Sequence, residues 1–321
     1  MITARSMVFL TLFLLVPTAF AAKLPGIPGF IDEMVAKHHF KRNELKHLFQ
    51  RAKYKQSVID AITTPATTKP WPEYRAIFVN QKRIQAGLKF WKHYRHTLRR
   101  AERKYGVPQE IIVALIGVET LYGKHAGNYR AIDALTTLAF KYPQRAAFFR
   151  SELEQYLLLA RAQDFNLLGV QGSYAGALGI PQFMPSSYRK YAVDFDHDGK
   201  IDLMNDPVDA IGSVANYLKQ FGWTRGQPVA VRSKAGAAAP DQSTARSAKA
   251  WAAIGVVPER DVQGEGKARL IDFTMPEGKE FWLAFDNFRV ITRYNNSDFY
   301  AMSVYQLAEA LDRARHPATA G

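Results

Sequence analysis

Glu119 stands where a carboxylate is expensive. The run Ile111-Ile112-Val113-Ala114-Leu115-Ile116-Gly117-Val118-Glu119-Thr120-Leu121-Tyr122-Gly123 is almost wholly apolar. Gly106-Val107-Pro108 precedes it, with Pro108 suited to a first helical position and Gly123 to a C-cap. Counting back three, four and seven from Glu119 gives Ile116, Leu115 and Ile112, so the acid shares the apolar face. An acid there must be protonated, paired or solvated by a cleft. General acid catalysis suits the placement; a buried structural ion pair is the rival. A free Glu near pKa 4.3 is protonated only about 0.2% of the time at pH 7. Desolvation that raised it to about 6 would give roughly 9%, for about 2.3 kcal/mol. Other glutamates, such as Glu102 and Glu152, read as solvated helix surface.

Two loops carry further chemistry. Residues 169–188 are rich in glycine but lack G-x-G-x-x-G spacing and any following Gly-Lys-Ser/Thr, so a nucleotide loop is not supported. Ser173, Gln182 and Tyr188 offer hydrogen bonds and Phe183 a flat apolar face, a combination suited to a sugar. A tight packing loop between helices is the alternative. No G-x-S-x-G or H-E-x-x-H occurs. The second loop, Asp194-Phe195-Asp196-His197-Asp198-Gly199-Lys200-Ile201-Asp202, matches the calcium pattern D-x-D-x-D-G-x-I. Asp194, Asp196 and Asp198 supply carboxylates, Lys200 a backbone carbonyl, and Gly199 the sharp bend. Position 12 is Asn205, so Asp206 or Asp209 must close the shell.

The segments that position these groups read as mainly α. Residues 30–63 pattern as short amphipathic helices, 63–72 as a linker, and 74–104 as a long basic helical stretch with Ile77, Ile84, Leu88 and Trp91 at helical spacing. Helix continues through 106–222 between the two loops. Residues 227–291 change to Ala/Gly/Ser-rich sequence and short apolar runs that read as strands, and 298–313 return to helix. At the start, Arg5 precedes an apolar stretch ending in Ala19-Phe20-Ala21, which reads as an export signal too short to span a ~30 Å hydrocarbon core, with an uncleaved N-terminal anchor as the alternative. The 321 residues are 47% hydrophobic and 22% charged, which excludes a disordered or multi-span membrane chain. With no cysteine, disulfides, thiolate nucleophiles and lipid attachment through Cys are excluded. A net charge of +14 implies a polyanionic partner, and export makes a cell-envelope polymer a better fit than nucleic acid.

Together these residues resemble the lytic murein transglycosylase B family, exported enzymes that cleave peptidoglycan glycan strands. The resemblance is carried by Lys69-Pro70-Trp71, Gly117-Val118-Glu119-Thr120, Ala175-Gly176-Ala177-Leu178-Gly179, Pro181 to Tyr188, the Asp loop, Asp206 to Tyr217, Ile291 to Asn295 and Tyr300-Ala301-Met302. It implies a lysozyme-like helical core at 106–226, including the calcium-type loop. An N-terminal helical domain would occupy 22–105 and a small β-containing domain 227–291, with 292–321 returning to the helical body after a signal peptide at 1–21. It makes Glu119 the single acid/base, and places Ser173, Gln182, Tyr294 and Tyr300 around the sugar. Asp209 becomes the last ligand of a structural Ca2+. Relatives can carry two arginines after Tyr-Pro that meet peptide stems; here Gln144-Arg145 follow Tyr142-Pro143, leaving Arg145 for that role.

The implied reaction cuts the MurNAc–GlcNAc β-1,4 bond without water, leaving a 1,6-anhydroMurNAc end. A muramidase with a second carboxylate, separable by its hydrated product, is one alternative. A non-catalytic glycan-binding envelope protein is another, and turnover on peptidoglycan separates it. The implied setting is the periplasm, with glycan strands as partner and room for complexes with other cell-wall enzymes. No nucleic acid, organic cofactor or membrane span after signal cleavage is expected.

Overall fold

The computed structural model describes residues 24–64, 69–236, 244–262 and 266–316. The stretch read as an export signal, 1–21, and residues 65–68 of the linker lie outside them. Helices dominate. Three short ones, α1 (Ile27–His38), α2 (Arg42–Arg51) and α3 (Gln56–Thr63), come first. The basic stretch read as one long helix is three: α4 (Trp71–Phe78), α5 (Gln81–His93) and α6 (Arg95–Tyr105). Asn80 makes the first break, because its side chain accepts from the Arg83 N–H at 3.0 Å and caps α5. Among the described residues no helix is long and apolar enough to cross a membrane.

Helix α7 (Gln109–Thr120) is the axis of the core. It is buried along nearly its whole length, Ile111 through Val118, rather than on one stripe. A helix apolar all round belongs inside, and α7 has α5, α6, α11 (Pro207–Gln220) and α14 (Asp298–Arg315) packed around it. Pro108 stands one residue before α7 and Leu121, with φ 51°, takes the C-terminal position expected of Gly123. The chain stays left-handed through Tyr122 (φ 61°) and Gly123 (φ 85°). Tyr122 is thereby turned back between α5 and α7. A Cβ on Gly117 would lie 2.5 Å from its hydroxyl, and one on Gly87 2.4 Å. That hydroxyl donates to the Arg83 carbonyl at 3.1 Å.

The hairpin of α8 (Ala131–Lys141) and α9 (Ala146–Gln163) packs beside the glycine-rich loop. Glu152 of α9 is not the surface group its sequence context suggests. It is buried, accepting from the Ser186 N–H at 2.9 Å and the Ser186 hydroxyl at 2.6 Å at the start of α10 (Pro185–Tyr191). A small two-stranded pair joins β1 (Tyr129–Arg130) to β2 (Gln171–Gly172). The later strands are β3 (Ala230–Lys234), β4 (Arg246–Ser247), β5 (Val257–Pro258), β6 (Lys267–Met275) and β7 (Gly278–Ala284). They form one antiparallel sheet in the order β4-β6-β7-β3-β5. Its inner side carries a small core of its own, with Trp251 of α12 (Ala248–Ala252), Leu270, Phe281 and Leu283. The stretch read as β closes in helix α13 (Asp286–Thr292). Trp71, buried in α4, joins sheet to helices by stacking on Phe273 of β6 with ring centroids 4.4 Å apart.

Candidate active site

Glu119 occupies the last turn of α7 and is partly exposed. Tyr300, in the first turn of α14, donates its hydroxyl to Glu119 Oε1. Tyr300 is itself held by Ser297, whose Oγ caps α14 by accepting from the Tyr300 N–H at 3.3 Å. Burial among apolar side chains pushes the Glu119 carboxyl up to about 7, and the Tyr300 hydrogen bond works against that rise. No cation pairs with Glu119 among the described residues, so the ion-pair reading is not what the fold builds. Nor does a second carboxylate contribute to its shift. A group near 7 is about half protonated at neutral pH, so it can both give and take a proton.

Tyrosines surround the acid. Burial, with the Glu119 charge adding to it, pushes Tyr74 up to about 12 and raises Tyr294 and Tyr300 well above the ordinary phenol value. Tyr217 rises too, first through burial. All four are therefore neutral hydrogen-bonding groups at physiological pH. Tyr294 follows α13, donates to the Pro181 carbonyl, and packs its ring 4.8 Å from Tyr217 and 5.8 Å from Phe183. Tyr74 and Tyr217 were not among the sequence candidates for the site. They sit on α4 and α11, far from Glu119 in sequence, and nothing in their local spacing points to it.

The glycine-rich loop is fastened to the same place. Thr120, beside Glu119, donates to the Ile180 carbonyl at 2.8 Å and accepts from the Gly123 N–H at 2.9 Å. Close approach explains the loop's glycines: a Cβ on Gly179 would fall 2.3 Å from the Leu203 carbonyl oxygen, and one on Gly172 2.4 Å from that of Ala177. Ser173 Oγ accepts from the N–H groups of Ala175 and Ala177 at 3.2 and 3.1 Å, which leaves its hydroxyl proton to donate. Gln182, at φ 52°, gives both amide protons to carbonyls, Ala126 and Gly179 at 2.9 Å each. Its side-chain oxygen is thus the atom it can offer. Phe183 and Tyr188 are core instead of sugar contacts. Both are buried, and the Tyr188 hydroxyl is taken up by Ile201 O at 2.7 Å and Leu203 N at 3.0 Å. Arg145 ends a turn between α8 and α9, exposed, with its guanidinium 4.3 Å over Phe148. None of its contacts is with the Glu119 group.

The Asp loop brings Asp194, Asp196 and Asp209 together, with ligand oxygens within 4.8 Å of one another. Asp209, 1% exposed in the first turn of α11, also accepts from Phe195 N at 2.6 Å and Asp202 N at 2.8 Å. Asp206 instead caps α11, accepting from Val208 N at 2.7 Å, and Asn205 bonds back to Asp202. Asp198 is exposed and accepts from Lys200 N at 2.8 Å. Carboxylates converging from a loop and a helix fit a hard divalent cation held by oxygen.

The structure is thus a helical, lysozyme-like body with one desolvated acid at the end of its central helix. The family profile described as "Transglycosylase SLT domain" matches residues 24–309, and the chain belongs to that family. It is 44% identical over 306 residues to the membrane-bound lytic murein transglycosylase B of Escherichia coli K12, covering 92% of this chain and 84% of that protein. Among solved structures it is similar to soluble lytic transglycosylase SltB1 of Pseudomonas aeruginosa, with 48% identity and TM-score 0.84 over 91% of this chain and all of that one. It is also similar to the E. coli lytic transglycosylase Slt35, solved with bulgecin A and with calcium. There the identity is 44% and the TM-scores 0.86 and 0.85, over 92% of this chain and 95% of that one.

Proposed function

We propose that the protein is a lytic transglycosylase that cleaves the MurNAc–GlcNAc β-1,4 bond of peptidoglycan and closes a 1,6-anhydroMurNAc end, with Glu119 as its single acid and base. The observation that carries this is the Glu119 carboxyl, raised to about 7 by burial and hydrogen-bonded to a neutral tyrosine. In the first step Glu119 protonates the glycosidic oxygen as the C1–O bond breaks, and the leaving GlcNAc departs with a free 4-hydroxyl. Glu119, now a carboxylate, takes the proton of the MurNAc 6-hydroxyl as O6 bonds to C1. The proton count closes and Glu119 is an acid again. The substrate's acetamido group stabilises the cation developing at C1, as in glycosidases that use a single carboxylate.

The Tyr300 hydrogen bond strengthens as Glu119 becomes charged, so it aids the first step without holding the group ionised beforehand. Ser173 and Gln182, a donor and an acceptor fixed by the loop backbone, orient the sugar and its N-acetyl group. Tyr294 lines the same groove, and the exposed guanidinium of Arg145 meets a stem carboxylate. An internal hydroxyl held against C1 outcompetes solvent, since effective molarities reach about 10⁵ M or more.

Asp194, Asp196, Asp198, the Lys200 carbonyl and Asp209 would hold Ca2+, which supplies a cross-link between the loop and α11 and no part of the chemistry. The same reading places the protein in the periplasm and divides the chain into N-terminal helical, catalytic, β-containing and C-terminal parts at 105, 226 and 291. Glu119→Gln on purified peptidoglycan tests the proposal. A folded variant should lose turnover by about 10²-fold or more while still binding glycan. Wild-type cleavage by that variant would overturn it.

A further inference from the structure

We propose that the outer face of α6, where it meets the Asp194–Asp198 loop, is a second substrate contact that takes the carboxylates of peptide stems. This rests on the peptidoglycan reading above. Helix α6 carries Arg95, Arg99, Arg100, Arg103 and Lys104 against one acid, Glu102. At about 100° per residue the five cations fall within roughly half the circumference. Leu98, Ala101 and Tyr105 fill the buried side, and Glu102 is taken up by the Gln109 amide at 2.6 Å. Several arginines elsewhere find acids, as Arg150 does with Glu33 at 2.6 Å and Arg269 with Asp298 at 2.7 Å. Among the described residues none of the five α6 cations forms an ion pair. They rest instead on backbone and rings: Arg99 on the Arg95 carbonyl at 3.3 Å, Arg100 over Phe195 at 4.2 Å, and Lys104 over the same ring at 5.5 Å. Like charges held side by side, in excess over the one acid nearby, Asp196, make a field that an anion relieves.

The shape selects the anion. A cavity of about 630 Å³ opens between α6 and the loop, lined by His96, Arg99, Arg100 and Arg103 together with one acid, Asp196. Arg100 keeps a buried Nε–H with no acceptor. A concave site admits a pendant group, such as a stem peptide, better than it fits a flat bilayer. Among the described residues the exposed large apolar side chains are Ile77, Phe148, Tyr174, Ile254 and Val257, none of them on α6, so this helix face has no such side chain to insert into lipid. The C-terminus of α6 leads into the start of α7, while Glu119 lies in the last turn of that helix. No charge of α6 contributes to the Glu119 shift.

The test is the triple variant Arg95→Gln, Arg99→Gln, Arg103→Gln, keeping Arg100 because it bonds the Phe195 carbonyl. Affinity for purified sacculi should fall about tenfold or more at low salt, and differ little from wild type in molar salt, where the Debye length is about 3 Å. Melting temperature, binding to stem-free glycan strands and their cleavage should stay at wild-type values. Unchanged sacculus affinity would overturn the proposal. So would an equal loss on stem-free strands, or a loss confined to phosphatidylglycerol vesicles, which would make the face a membrane contact. If the wild type cleaves neither material, the peptidoglycan activity fails, while sacculus binding still decides the docking face.

Discussion

Replacing Glu119 with Gln should make the protein more stable as well as inactive, and the gain should depend on pH. The carboxyl is raised from 4.5 to about 7 by burial. A raised folded-state value means the folded chain holds a proton that the unfolded chain has released. Wild-type stability is therefore full below about pH 4.5 and declines as pH rises towards 7 and beyond. Each unit is worth about 1.4 kcal/mol, so the loss approaches about 3 kcal/mol above pH 7. Glutamine keeps the size and can still accept from Tyr300, but never ionises. The two proteins should melt together near pH 4, and Glu119→Gln should melt about 3–8 °C higher at pH 8. Scanning calorimetry across that range reads the difference directly. A constant offset at every pH would show that Glu119 is not desolvated, and the catalytic argument built on its protonation would fall with it.

Other perturbations test neighbouring parts of the account. Tyr300→Phe removes a hydrogen bond that favours the charged form, of the kind worth about 1.5–3 kcal/mol, so the alkaline limb of the pH–kcat profile should move up by roughly one to two units; an unmoved limb would separate Tyr300 from the titrating group. Calcium should raise the melting temperature, by the equivalent of about 2.7 kcal/mol at a hundredfold excess over Kd. Asp194→Ala should abolish that rise with activity retained below the melting point, and an absent wild-type response would mean the loop is a plain turn. Gly117→Ala puts a methyl 2.5 Å from the Tyr122 hydroxyl and should cost about 1–3 kcal/mol by denaturant titration; a neutral effect would show that the left-handed turn after α7 yields easily.

The sequence made Glu119 visible because a charge on an apolar run violates a strong local rule, and the Asp loop because its ligands are contiguous. Helix content was legible for the same reason: periodicity is local. What stayed hidden was long-range. Tyr74 and Tyr217 reach Glu119 from α4 and α11 by tertiary packing, which no spacing encodes. Phe183 and Tyr188 looked available for a sugar because composition does not tell a buried ring from an exposed one. Glu152 looked solvated because its partner, Ser186, comes from another helix. The break at Asn80 depended on a single side-chain cap, and the end of α7 on a left-handed Leu121 that glycine would more usually supply.

The central claim is that one acid performs both proton transfers and that an internal hydroxyl replaces water. Mass spectrometry of the products released from purified peptidoglycan by the wild-type protein measures this directly. Every new MurNAc end should be one water lighter than the hydrolysed sugar and should resist borohydride reduction. Reducing MurNAc ends carrying the added water would contradict the account and make the protein a muramidase with a second catalytic group.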